Sequence, residues 1–212
     1  MSPDLDGFAL LVVDVQAGFA DPSWGRRDNP ACEANVARLV AAWREAGRPL
    51  VVVRHDSVER SSPLRPGQPG NDLLPEVEGP RDLLVTRSTN SALHGEPDLH
   101  AWLQAQGLTG VVFCGVTTNH CCETTARMAG DLAYRVLFVL DATSTFDRAG
   151  PDGVVVPAEE LSRVTAANLQ GEFADVVATQ DVVEALGSLG ATGRSSAAGR
   201  LRQLPSEVDD DG

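Results

Sequence analysis

Positive charge is scarce in this 212-residue sequence. Lysine and arginine together contribute 17 residues against 30 of aspartate and glutamate, which leaves a formal net charge of -13 at pH 7. A nucleic acid or an anionic membrane surface would repel such a chain over a broad front. We therefore expect a small soluble molecule as the partner, and neither a nucleic acid nor a membrane.

Long apolar runs and a secretory leader are also missing. No uninterrupted apolar stretch reaches the length that spans a bilayer, and residues 1–6 lack the basic start and apolar core of a signal peptide. The cysteines, Cys32, Cys114, Cys121 and Cys122, do not form the spaced framework of a disulfide-rich secreted protein. Because reduced thiols suit the cytoplasm, we expect a cytoplasmic protein.

Histidine is sparse as well, and its spacing does not match the common metal motifs. The histidines are His55, His94, His100 and His120. None of them has a second histidine at the short spacing that metal-binding motifs use. We expect no metal and no other cofactor.

What the chain does contain is a regular alternation of apolar and amphipathic segments. Continuous apolar runs predict strands that are buried on both faces, and the amphipathic stretches between them predict helices. The predicted strands are residues 8–13, 49–54, 82–86, 110–114, 135–140 and 174–179, and the predicted helices are 30–47, 97–107, 121–133, 157–169 and 181–189. This alternation predicts a three-layer α/β/α sandwich on a six-stranded parallel sheet, a Rossmann-like fold.

The sequence indicates one domain followed by a tail. Apolar runs are spread evenly from Ala9 to Leu186 with no interior linker, so we expect a single domain over residues 1–189. From residue 190 onward the composition turns to Ser, Ala, Gly and Arg and ends on a run of Asp. Such a segment buries too little apolar surface to order itself, and we expect 190–212 to be a disordered tail.

Three chemically complementary residues, Asp14, Arg87 and Cys121, follow predicted strands. The carboxyl ends of parallel strands meet at one edge of an open sheet, where such folds bind ligands. Cys121 also lies at a predicted helix start, where unpaired N–H groups and the helix dipole favour a thiolate, so we expect its pKa to fall. A buried apolar role for this cysteine is the alternative.

Residues 115–125, Gly-Val-Thr-Thr-Asn-His-Cys-Cys-Glu-Thr-Thr, resemble the fingerprint of the isochorismatase-like cysteine hydrolases. The resemblance extends over most of the chain. It implies that Cys121 is the nucleophile, that the peptide bond between Val116 and Thr117 is cis, and that the N–H groups of Thr117 and Cys121 form an oxyanion hole. It also implies a homo-oligomer.

A second segment, residues 14–19, resembles the family's Asp-x-Gln-x-Gly-Phe motif. The resemblance implies that Asp14 takes the thiol proton and that Gln16 and Phe19 belong to the substrate pocket. The residues alone leave a structural alternative open, since an aspartate often caps the turn that follows it.

Two residues in loops near the same edge are further candidates for substrate contact. Trp24 lies in a polar loop, and His55 follows the second predicted strand. The alternative for Trp24 is that it covers the core, and for His55 that it satisfies a backbone carbonyl.

A third segment, residues 87–93, resembles the family's Lys-x-x-x-Ser-Ala-Phe with departures at both ends. Arg87 stands where the family has lysine, and Leu93 where it has an aromatic residue. Arg87 keeps a cation that favours a thiolate and an ionised Asp14, but a guanidinium is bulkier than an ammonium and does not titrate. A plain structural ion pair with Asp14 is the alternative.

Taken with the resemblance, these residues predict a metal-independent cysteine hydrolase. We expect Asp14, Arg87 and Cys121 to cleave a C–N bond of a small amide, ureido or cyclic amide compound through a thioester. The loop around Trp24 resembles that of a group that includes streptothricin hydrolases. Two alternatives are a vinyl-ether hydrolase of the isochorismatase type, in which the aspartate acts as an acid, and a non-catalytic small-molecule binding homologue.

Overall fold

The fold is centred on a six-stranded parallel sheet. In this computed structural model the described residues are 3–198, with side chains described for 3–188. The strands are β1 (Phe8–Val13), β2 (Leu50–His55), β3 (Leu83–Arg87), β4 (Gly110–Val116), β5 (Arg135–Ser144), β6 (Arg148–Ala149), β7 (Val155–Val156) and β8 (Asp175–Val177). The sheet order is β3-β2-β1-β4-β5-β8, and all five neighbouring pairs are parallel. The predicted sheet is confirmed.

Helices cover both faces of the sheet. They are α1 (Cys32–Glu45), α2 (Leu99–Ala105), α3 (Glu123–Asp131), α4 (Ala158–Leu169) and α5 (Thr179–Ala198). One apolar cluster contains side chains of α1 and α5, and a second contains side chains of α2, α3 and α4. The predicted three-layer α/β/α sandwich is therefore confirmed.

Strand β1 shows why continuous apolar runs form this sheet. All of its residues are buried, and alternate side chains point to opposite faces of a strand. Leu10 and Val12 join the cluster on the side of α1 and α5, whereas Leu11 and Val13 join the other one. Each such side chain stabilises the fold by about 1.5–3 kcal/mol on burial, which favours apolar residues at every position.

The boundaries differ from the predictions mainly near the carboxyl end. Strand β5 continues past residue 140 to Ser144, and a two-stranded antiparallel pair, β6 with β7, follows it without having been predicted. Helix α5 continues past residue 189 to Ala198. The predicted disorder of the tail stays a prediction, because residues 199–212 lie outside the described part of the chain.

The strand order places the site. β1 lies between β2 and β4, so chain direction across the sheet reverses its order at the junction of β1 with β4. Open α/β sheets bind ligands at such a junction, beyond the carboxyl ends of the strands. Asp14 follows β1 directly, and the turn carrying Cys121 follows β4. Within residues 3–198, no helix is long and apolar enough to cross a bilayer.

Candidate active site

Asp14 is a fully buried carboxylate in a sharp turn. Its φ of 51° lies in the left-handed region, which Asp tolerates better than most residues with a side chain. The Asp14 N–H still donates to the carbonyl of Val53 (3.0 Å), after which the chain leaves the sheet. The turn holds the carboxylate at the carboxyl edge, with a relative exposure of 0%.

Arg87 is the partner of this carboxylate. It is the last residue of β3, and its Nη2 donates to Oδ2 of Asp14. Its Nη1 contacts Nδ1 of His55 and donates to the carbonyl of Thr89. Both side chains of the Asp14–Arg87 ion pair have zero exposure. Burial opposes the charge of Arg87, but the Asp14 carboxylate outweighs it and raises the pKa of the guanidinium.

His55 is fixed in its neutral form by this arrangement. Burial, together with the positive charge of Arg87, lowers the pKa of His55 to about 4. The neutral ring can accept a hydrogen bond at Nδ1 from Arg87, which places the ring proton on Nε2. The backbone of His55 is used as well: its N–H donates to Oε1 of Gln16 (2.8 Å). His55 therefore supports Arg87, a role that the sequence reasoning did not assign to it.

The turn that carries the nucleophile candidate begins at the end of β4. The peptide bond between Val116 and Thr117 is cis, as the resemblance implied. Gly115 just before it has a φ of 126°, and a Cβ at this position would collide with the carbonyl oxygen of Val13 in β1. Only glycine allows the two strands to approach so closely here. The fingerprint glycine therefore has a packing reason in this chain.

Cys121 lies in one wide helical turn, residues Thr118–Cys122, that leads into α3. The Thr117 carbonyl accepts from the N–H groups of His120 (3.3 Å) and Cys122 (3.2 Å). The Cys121 carbonyl accepts from the Thr125 hydroxyl (2.6 Å), which anchors the turn to α3. Cys121 is 9% exposed, so only a narrow opening leads to its sulfur.

The pKa of Cys121 is raised, to about 12, and the expected fall is wrong. Burial is the main cause, and the charge of Asp14 acts in the same direction, while Arg87 opposes both. Sequence reasoning counted the helix start and the cation but could not weigh desolvation. The resting cysteine is a neutral thiol, whose Sγ contacts Oδ1 of Asn90 at 4.0 Å.

Asp14 and Cys121 together behave as one proton-sharing pair. Burial raises the pKa of Asp14 to about 6, against the opposing effects of the Arg87 charge and of a hydrogen bond with Cys121. At pH 7 the carboxyl is therefore ionised and the thiol protonated. Oδ1 of Asp14 is buried and has no aligned hydrogen-bond partner among the described residues. It is the acceptor that remains available to the thiol.

Gln16 is occupied by backbone contacts. Its Nε2 donates to the carbonyls of His55 (3.1 Å) and Asn71 (3.0 Å), and its Oε1 accepts from the His55 N–H. The side chain is 1% exposed. Since its donors and acceptor hold the end of β2 and the loop at Asn71 in place, we do not carry Gln16 into the substrate pocket.

Phe19 and Trp24 form an aromatic cluster with Phe146. The ring centroids lie 5.1 Å apart for Phe19 and Trp24, 5.6 Å for Trp24 and Phe146, and 6.2 Å for Phe19 and Phe146. The Trp24 indole N–H donates to the Gly18 carbonyl (2.8 Å), and the ring packs on the apolar core. Trp24 thus covers the core, and its contact with substrate stays a prediction, as does that of Phe19.

Two nearby residues were not among the predicted site residues. Asn90 contacts the sulfur of Cys121 from an exposed loop position, and Phe146 completes the aromatic cluster from beyond β5. Neither has a residue type or spacing that singles it out in the sequence. Their neighbours come from distant strands, and only the strand order brings them together.

Metal chemistry finds little support among these contacts. Within the described residues no group of three or more His, Cys, Asp or Glu side chains is placed to hold a metal ion. Nδ1 of His55 faces a guanidinium, which repels a cation. That the protein needs no metal stays a prediction.

Comparison with known proteins places this site in a family. The family profile described as "Isochorismatase domain" matches residues 8–181. A streptothricin hydrolase of Streptomyces noursei is 36% identical over 158 residues, which are 73% of this chain and 56% of that protein. Nicotinamidase 3 of Arabidopsis thaliana is 32% identical over 186 residues, 80% of this chain and 83% of its own.

A solved structure agrees with the fold. The crystal structure of an isochorismatase-family protein from Chromobacterium violaceum ATCC 12472 superposes with a TM-score of 0.80. It is 41% identical, and the superposition covers 85% of this chain and 93% of the other. Sheet and helices therefore agree with those of a related protein over most of the chain.

Proposed function

This chain belongs to the isochorismatase family of hydrolases, and we propose that it is a metal-independent cysteine hydrolase that cleaves a C–N bond of a small amide. The single observation that carries the proposal is the buried pair of Asp14 with Arg87 beside the thiol of Cys121. A buried ion pair alone is weak evidence for stability. A buried carboxylate with one unused oxygen next to a buried thiol is the arrangement that nucleophilic catalysis needs.

In the first half-reaction the thiol is activated as it attacks. Oδ1 of Asp14 takes the proton from Sγ of Cys121, and the sulfur forms a bond to the amide carbonyl carbon. The carbonyl oxygen becomes an oxyanion, which the N–H groups of Thr117 and Cys121 would stabilise. Arg87 keeps Asp14 ionised until the proton arrives.

In the second half-reaction the acid is released. As the tetrahedral intermediate collapses, the C–N bond breaks and the amine leaves with the proton that Asp14 had taken, which produces a thioester on Cys121. Water then attacks the thioester and transfers a proton to Asp14, and the C–S bond breaks. The carboxylic acid departs and the thiol regains its proton from Asp14, which restores the resting pair.

The neutral thiol fits this scheme. Because the pKa of Asp14 is about 6, the carboxylate is ionised at neutral pH and still basic enough to take a proton during attack. A resting thiolate beside this carboxylate would place two negative charges together in a buried site. Nicotinamidase 3, among the relatives, is named for hydrolysing an amide, which favours that substrate class.

A second candidate is hydrolysis of a vinyl ether, with Asp14 as the acid. The raised pKa of Asp14 favours it, since a protonated carboxyl is more accessible at about pH 6 than at an ordinary pKa. This reaction does not require Cys121. The two candidates therefore differ in whether an acyl group becomes attached to the sulfur.

Mass spectrometry during turnover distinguishes them. After a panel of small amides has identified a substrate, acid quenching should trap an acyl adduct on the peptide that contains Cys121. Cys121→Ala should lose both the adduct and the turnover, whereas Cys122→Ala, a matched change of the buried neighbour, should keep both. Turnover that persists in Cys121→Ala, with no adduct in the wild type, would exclude the cysteine mechanism.

A further inference from the structure

Arg148 lies beside the nucleophile turn without being part of the machinery described above. It opens β6, just after the segment that follows β5. This segment runs along the nucleophile turn: Ser144 pairs with Val116, and the Thr145 hydroxyl donates to Oδ1 of Asn119 (2.5 Å). The chain therefore carries Arg148 past the same opening through which Cys121 is exposed.

Electrostatic coupling agrees with this placement. Partial burial lowers the pKa of Arg148, and Cys121 acts on it in the opposite direction. The charge of Arg148 also contributes to the lowered pKa of His120, after burial. Both effects require that the guanidinium lie within electrostatic range of the nucleophile turn.

The guanidinium of Arg148 has no acidic partner among the residues whose side chains are described. Its Nε is buried and makes no hydrogen bond. Its neighbour Asp147 is already bound, since both carboxylate oxygens accept from Arg26 and one also accepts from the Ala158 N–H (2.8 Å). In a chain with 30 acidic residues against 17 basic ones, an arginine left unpaired beside a nucleophile is unusual.

We propose that Arg148 binds a carboxylate of the substrate, so that the enzyme acts on amides that carry an acid group away from the bond that is cleaved. The proposal rests on the cysteine-hydrolase function and names its substrate class. A guanidinium presents parallel N–H donors that match a carboxylate, and a half-buried site strengthens that pairing. Arg87 cannot serve this purpose, because its side chain is fully buried and bound to Asp14.

The scheme leaves the chemistry unchanged. The substrate carboxylate is a spectator that orients the amide carbonyl toward the sulfur and gains its binding energy away from the reacting bond. Neutral amides of the same length lack this contact. The acid-bearing substrate should therefore be preferred by at least tenfold in kcat/KM.

Matched substrate pairs test the assignment. The probes are the half-amides of succinic, glutaric and adipic acid, each compared with its methyl ester, because the series varies the distance between amide and carboxylate. For the best length we expect the wild type to prefer the acid over the ester by at least tenfold in kcat/KM. Arg148→Gln should lower this acid-to-ester ratio by at least tenfold, and Arg148→Lys should restore part of it.

The control removes the same charge elsewhere. Arg81 is exposed and precedes β3, at the opposite edge of the sheet from Arg87. Arg81→Gln should leave the acid-to-ester ratio within twofold of the wild type. If Arg148→Gln lowers the rates for acid and ester equally, Arg148 supports the thiol and not the substrate, and the proposal is wrong.

A binding measurement separates this proposal from the catalytic one. Calorimetry on the Cys121→Ser variant should detect binding of a half-amide, and the added change Arg148→Gln should weaken it at least tenfold. Binding that depends on Arg148, without hydrolysis of any probe by the wild type, would keep the anion site and overturn the hydrolase mechanism. If no half-amide is hydrolysed or bound in preference to its ester, the anion site is overturned.

Discussion

Two arginine–carboxylate clusters in this protein respond in opposite ways to the same kind of contact. Arg26 bridges Asp147 and Glu159 on the surface, with hydrogen bonds of 2.6 to 2.9 Å to both carboxylates. Arg87 pairs with Asp14 in the interior. The surface contact lowers the pKa of Glu159 to about 2, whereas Asp14, despite its arginine, has a pKa raised to about 6.

Burial accounts for the difference. At the surface, water still solvates both charges, and the hydrogen bond from Arg26 is the main influence on Glu159. In the interior, desolvation of the carboxylate outweighs the attraction of the arginine. A salt bridge therefore stabilises the charged form in one place, and in the other it leaves a base that can accept a proton near neutral pH.

The largest effect is expected for Asp14→Asn, which removes the base from the buried cluster. An amide cannot take the thiol proton, so kcat/KM should fall by at least about 10³-fold. The variant also leaves the guanidinium of Arg87 buried without its counter-charge, which should lower the free energy of unfolding by about 3–5 kcal/mol. Steady-state kinetics and urea unfolding measure the two losses.

Cys121→Ser is the control for Asp14→Asn. It should abolish turnover as well, but it keeps the Asp14–Arg87 pair, so the loss in the free energy of unfolding should be much smaller. Equal stability losses in both variants would mean that the buried ion pair is not what makes Asp14 structurally important.

The pH dependence should give the next largest effect. Asp14 must be ionised to act as a base, so kcat/KM should rise through a pH of about 6 and fall about tenfold per unit below it. Its contribution to stability has the opposite sign, being fully present below the ordinary pKa of 3.8 and lost as the pH rises through about 6. Circular dichroism at each pH would verify that the protein is folded. An acid limb near pH 4 would contradict the raised pKa.

Arg87→Lys should have a moderate effect. If the role of the residue is to fix a cation beside Asp14, kcat/KM should change by less than about tenfold, or roughly 1.4 kcal/mol. The chain contains no lysine, and all 17 of its basic residues are arginine, so Arg87 follows a preference of the whole chain. Arg54→Lys, in the half-exposed pair with Asp56, is the matched control and should leave the kinetics unchanged.

The same variant tests the support from His55. In the wild type His55→Ala removes an acceptor from the Arg87 guanidinium, so it should lower kcat/KM. An ammonium does not depend on that ring nitrogen in the same way, and the loss should shrink in the Arg87→Lys background. Equal losses in both backgrounds would show that His55 acts independently of Arg87.

The sequence reasoning succeeded where one pattern determines one structure. Continuous apolar runs predict parallel strands, and parallel strands bring their carboxyl ends to one edge, so Asp14 and Arg87 could be expected to meet. The pair β6 and β7 escaped prediction because two-residue strands such as Val155–Val156 have no periodicity to detect.

The electrostatics could not be predicted in the same way. The direction of the Cys121 pKa depends on how completely the thiol is buried and on which carboxylate lies next to it. His55 was considered for the pocket wall, but its partner is decided by the neighbouring strands β2 and β3, which pair His55 with Arg87. Arg148 appears as a solvated charge in the sequence, and its isolation becomes visible only once Arg26 is seen to bind Asp147.

The smallest effect is expected for Arg26→Gln, which dissolves the surface cluster. Because its charges are exposed and screened by salt, kcat/KM should stay within about threefold of the wild type. The melting temperature should fall far less than in Asp14→Asn, and wild-type protein in high salt should resemble the variant. Steady-state kinetics at low and high salt check both points. A loss confined to acid-bearing amides would contradict this expectation, and it would indicate that Asp147, once released from Arg26, competes with substrate for Arg148.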